Sequence, residues 1–68
     1  MIRVVDYIGI EEEVRITFTD GQYIIGHIDS VEDEEESELG EPGISVFTQD
    51  GMYVGVGESE IDSIETMN

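Results

Sequence analysis

Apolar and polar residues alternate along Glu13 to Val31, EVRITFTDGQYIIGHIDSV, with the period of two that buries one face of a β-strand. Val14, Ile16 and Phe18 interleave with Arg15, Thr17 and Thr19. Asp20-Gly21 then interrupts the pattern with the dipeptide that suits a two-residue hairpin turn. A second β-rich run, Gln22 to Val31, returns past Gly26, where a glycine inside a strand predicts a bulge or sharp bend. The pattern predicts a hairpin whose second strand bends strongly, the start of a small barrel.

The flanking segments extend this reading. In residues 2 to 10, IRVVDYIGI, the spacing of Val4, Val5 and Ile8 fits one face of a short helix, while Ile2, Val4 and Asp6 fit the start of a strand. The helical turn is preferred, ending at Gly9. Glu11, Glu12 and Glu13 read as a solvated connector. From Glu32 to Gly43 acid density and a Gly-Glu-Pro-Gly end predict a loop. Ile44 to Thr48 resumes strand character, and Asp50-Gly51 makes a second tight turn. Met52 to Val56 follows, with Met52, Val54 and Val56 on one face and Tyr53 opposite. Gly57 to Glu60 reads as a turn. Ile61 and Ile64 close the chain as a short strand or one helical turn, before Thr66, Met67 and Asn68 fray. The two halves share a loose rhyme, FTDGQYIIG and FTQDGMYVG, read as two similar hairpins. The expectation is one all-β domain over residues 1 to 68, a five-stranded SH3-like small barrel with a short N-terminal helical turn.

Composition narrows the functional classes. A chain of 68 residues buries only about 60% of the surface its unfolded form exposes, so its core is small. Cysteine is absent, which removes disulfides and thiolate metal sites together. Association with a copy of itself or with another chain is the remaining support. No apolar run approaches the ~18 residues of a membrane span, and the N-terminus lacks a basic-then-apolar signal pattern. A cytoplasmic protein is expected, with no membrane partner.

Charge changes the picture most. Eighteen Asp and Glu stand against Arg3 and Arg15, with no lysine, for a formal net charge of −16. Seven acids lie in the loop region: Glu32, Asp33, Glu34, Glu35, Glu36, Glu38 and Glu41. Without them 11 acids still face 2 bases, so the body of the domain is acidic as well. Such a field repels phosphate backbones and suits basic protein partners, although an acidic proteome or saline habitat gives the same composition. The acidity also permits mimicry of nucleic acid against a basic groove.

Candidate chemistry is sparse. His27 is the only histidine, without the nucleophile and orienting group that catalysis requires, so it reads as structural or surface. The acid run Glu32 to Glu38 lacks the ligand spacing and turn glycine of a calcium loop. No enzyme activity, cofactor or metal site is expected. The uncharged stretch Met52, Tyr53, Val54, Gly55, Val56 and Gly57 is different, because an uncharged strand edge pairs with another chain unless protected. It is the expected oligomer edge.

On these residues the chain resembles the Sm/LSm family, nearest to its bacterial host-factor branch. DYIGIEEEVRITFTDGQYIIGHIDSV looks like the family's opening, a short helix followed by a strand, an Asp-Gly turn and a glycine-bent second strand. GVGESEIDSIE is similar to the second Sm motif, with Ile61 and Ile64 as its spaced aliphatic pair. The resemblance implies a ring of subunits joined by the fourth strand of one and the fifth of the next. It also implies RNA binding, through a polar loop residue and a basic residue in the second motif. Neither transfers: the loop reads DSVEDEEESE, and Glu58 and Glu60 stand where the family tends to carry Arg or Lys.

Overall fold

The computed structural model describes residues 2–67. The alternating stretch forms β1 (Val14–Phe18) and β2 (Tyr23–Glu32), followed by β3 (Gly43–Thr48), β4 (Tyr53–Gly57) and β5 (Ile61–Thr66). All neighbouring strands are antiparallel, in the order β4-β3-β2-β1-β5. The expected all-β, five-stranded small barrel is the observed fold. β2 is the organising strand because it is long enough for two partners, pairing β1 through its first half and β3 through its second. The sheet curls around it, so that Val14 and Ile16 of β1, Ile44 and Val46 of β3, Val56 of β4, and Ile61 and Ile64 of β5 meet in one buried core.

Gly26 stands where the two pairings overlap, opposite Val14 on one side and Thr48 on the other. A Cβ here would collide with the Phe47 carbonyl oxygen and come within 2.8 Å of the Thr48 Cα. The glycine is therefore needed for close backbone approach. The expected bulge lies further on: pairing shifts between Ile28 and Ser30, leaving Asp29 as the extra residue. That insertion lets Ile28 and Val31, three apart, both pack against the core. β5 uses the same device. Phe18 faces Ile61 and Thr17 faces Ser63, so Asp62 is extra and Ile61 and Ile64 both turn inward.

The Asp-Gly turns differ from the two-residue form expected. A two-residue type I′ turn needs positive φ at both centres, whereas in each of these turns the glycine alone is positive, Gly21 (φ 90°) in one and Gly51 (φ 89°) in the other. In the first turn the Gly21 N–H donates to the Phe18 carbonyl (2.9 Å) and the Phe18 N–H to the Gln22 carbonyl (2.8 Å). This is a three-residue loop, a type I turn closed by a glycine bulge. The second turn repeats it with Thr48 in the place of Phe18. The Phe-Thr rhyme is thus offset by one residue in space. Thr48 is buried, and its hydroxyl donates to Asp50 and accepts the Met52 N–H at 3.0 Å.

The N-terminal segment is a 3-10 turn, Val4–Tyr7. With three residues per turn, positions i and i+3 share a side. Val4 enters the core and Tyr7 packs against it, while Val5 and Ile8 face outward. The expected grouping of Val4, Val5 and Ile8 on one face is corrected accordingly. A second 3-10 turn, Glu58–Glu60, links β4 to β5. The expected fraying is corrected at Thr66, which ends β5, and at Met67, whose N–H donates to the Glu13 carbonyl at 2.9 Å. Asn68 lies outside the described residues. Among the described residues, no helix is long and apolar enough to cross a membrane.

Candidate interaction surfaces

Two strands, β4 and β5, lie at the ends of the strand order, each with one neighbour in the sheet. In an antiparallel ladder, hydrogen-bonded and non-hydrogen-bonded pairs alternate, and members of the second kind direct their backbone groups away from the partner. The Thr48 N–H donates to the Met52 carbonyl, which sets the phase for β4. The pairs Phe47–Tyr53 and Ser45–Gly55 are then of the second kind. Tyr53 and Gly55 therefore turn their N–H and C=O groups outward. Gly57 does so too, but its N–H is taken by the Glu60 carboxylate at 3.1 Å. On β5 the bond from Met67 N–H to Glu13 fixes the opposite phase, and Ile64 and Thr66 point outward. Each edge offers two residues spaced i, i+2.

The side chains suit this edge unevenly. Gly55 is exposed, and a Cβ there would meet nothing within 4 Å. Tyr53 is 63% exposed and packs edge-on against Phe47, ring centroids 5.0 Å apart. Val54 is half-buried and Val56 buried, as the alternation predicts. Met52 departs from it. It belongs to the turn and is 59% exposed, because the strand begins only at Tyr53.

The acidic loop is shorter and more ordered than its composition suggests. Glu32 ends β2 opposite Gly43, so the connection spans residues 33 to 42. The Glu32 carboxylate accepts the Ser45 hydroxyl at 3.1 Å and is part-buried. Asp33 caps a single turn, its Oδ1 accepting the N–H groups of Glu35 (3.0 Å) and Glu36 (2.9 Å). Glu34, Glu35, Glu36 and Glu38 are exposed or nearly so. Glu41, which sequence reasoning counted only as charge, fastens the loop to the second 3-10 turn. Its carboxylate accepts both the N–H and the hydroxyl of Ser59, each at 2.8 Å. The Pro42 carbonyl accepts the Glu58 N–H at 2.8 Å beside it. Nothing in the local sequence marks that partnership, since 18 positions separate the two residues.

The remaining polar candidates stay apart. His27 is exposed on β2 opposite Phe47. Arg15 pairs with Glu65 at 3.2 Å and lies 5.8 Å from the Tyr23 ring centroid. Both partners of that ion pair are largely solvated, so it contributes at most about 1 kcal/mol. Among the described residues, no three His, Asp or Glu side chains converge as metal ligands would. Compared with protein-family models, with curated proteins and with solved structures, the chain finds no match in any of the three.

Proposed function

We propose that the protein is a non-enzymatic, oligomerising interaction module of the cytoplasm, an acidic relative of the Sm/LSm small barrels. The observation that carries this reading is the pair of complementary edges. Tyr53 and Gly55 on β4, and Ile64 and Thr66 on β5, present outward backbone groups at the same spacing. An antiparallel seam between β4 of one copy and β5 of the next satisfies both edges, and repetition of that head-to-tail seam builds a ring when its rotation closes. The small core of a 68-residue chain without disulfides supports the same conclusion, since assembly adds the burial that the monomer lacks.

RNA is not the proposed ligand. The chain holds two cations, and one of them, Arg15, is engaged by Glu65 and Tyr23. A basic protein partner fits the charge better.

Light scattering in molar NaCl, where repulsion is screened, tests the assembly. A homo-oligomer is expected for the wild type. Gly55→Pro should shift it toward monomer, because proline removes an outward N–H that serves no partner within the chain. Gly55→Ala is the control and should assemble normally. A wild type that stays monomeric at high micromolar concentration and high salt overturns the proposal.

A further inference from the structure

The outward side of the N-terminal 3-10 turn faces a groove shared with the acidic loop and the second 3-10 turn. Its volume is about 450 Å³. Its apolar lining is Val4, Val5, Ile8, Val31 and Pro42. Val5 is 50% exposed and Ile8 65% exposed, a large share for aliphatic side chains in a chain with so little core. Its charged lining is Glu32, Asp33, Glu36 and Glu58, with Arg3 the one opposing charge.

These features share a structural cause. Burial of Val4 and the three-residue period of the turn force Val5 and Ile8 onto the solvent side. The Asp33 cap fixes the turn that presents Glu36, and the Glu41–Ser59 contact holds Glu58 beside Pro42. An apolar lining set among acidic side chains is complementary to one chemistry: a cationic segment with an apolar anchor. Nucleic acid is repelled by these acids, and a second acidic copy of this chain is repelled at this groove as well.

We propose that this groove docks a basic segment of a partner protein, with an aliphatic or aromatic side chain seated on Val5 and Ile8 and Lys or Arg side chains set against Asp33, Glu36 and Glu58. The inference deepens the association reading but does not depend on the β4–β5 seam, whose backbone edges are different groups.

Fluorescence anisotropy on the full chain tests it with two labelled peptides of about twelve residues, one alternating Lys-Lys with Leu-Leu and a twin with Ser in place of Leu. The leucine peptide should bind about tenfold more tightly than its twin, the effect expected of burying an anchor side chain. The double variant Val5→Ser with Ile8→Ser should abolish the difference, and circular dichroism should show it folded because both side chains are exposed. Glu36→Gln with Glu58→Gln should weaken binding about tenfold or more, whereas the equal charge change Glu11→Gln with Glu12→Gln should leave it within about twofold. Equal binding of the twins, no binding, or equal loss from the two charge variants overturns the proposal. The particle mass, read separately, keeps the two proposals apart: a monomer that binds sinks the ring alone, and a ring that does not bind sinks the groove alone.

Discussion

Glu41 and Ser59 form a two-point contact across the domain, with the carboxylate of one accepting both the N–H and the hydroxyl of the other at 2.8 Å. A Cβ on Gly57 would come within 2.7 Å of the same carboxylate, so the strand end and the loop are fitted to each other. Glu41→Ala leaves the Ser59 groups to water. These bonds are exposed, so the expected cost is about 1 kcal/mol, or a fall of roughly 4–8 °C in Tm. Ser59→Ala should cost less, because the N–H contact survives. Equal melting of Glu41→Ala and wild type in molar NaCl, where the relief of repulsion is screened, would show that the contact contributes nothing.

Gly26→Ala is the severe substitution. The added methyl meets backbone, the Phe47 carbonyl and the Thr48 Cα, in the strand pairing that joins both halves of the sheet. Backbone cannot step aside as a flexible side chain does, so loss of cooperative folding is expected by circular dichroism. Gly55→Ala meets no atom and should melt within about 0.5 kcal/mol of wild type.

Salt should stabilise this protein. At −16 the compact state repels itself, and screening shortens from about 8 Å at physiological strength to about 3 Å at 1 M. Tm should climb as NaCl rises from millimolar to molar. Replacing Glu34, Glu35, Glu36 and Glu38 with Gln should raise the low-salt Tm and flatten the slope. Glu32 and Asp33 are left intact in that design because their carboxylates hold structure. A flat salt curve for the wild type would contradict the repulsion argument.

Oligonucleotides should bind no more tightly than about 10⁻⁴ M at physiological salt, the weak end of nonspecific affinity. Two cations per chain release too few counterions to do better. Anisotropy with U-rich and A-rich strands checks this, and micromolar affinity would restore RNA as the ligand.

The sequence by itself determined the strands and the inward faces of most of them. Alternation at Val14, Ile16 and Phe18 is a local property, and so is the turn chemistry of Asp20-Gly21 and Asp50-Gly51, because side-chain period and backbone φ depend on near neighbours. The uncharged stretch of β4 was legible for the same reason. Tertiary structure decided where each local signal had to be adjusted. Bulges at Asp29 and Asp62 arise because a curled sheet must shift register to keep Ile28 with Val31, and Ile61 with Ile64, on the core side. The 3-10 form of the N-terminal turn, fixed by Val4 docking into the core, exposed Val5 and Ile8 where spacing alone had grouped them with Val4. Some structural acids act locally, Asp33 on Glu35 and Glu36 and Glu60 on Gly57. Glu32 and Glu41 resemble every other glutamate in the chain, and only chain partners as distant as Ser45 and Ser59 separate them from solvated charge. Periodicity reports a residue's neighbours along the chain, whereas hydrogen-bond partners across a sheet are chosen by the fold.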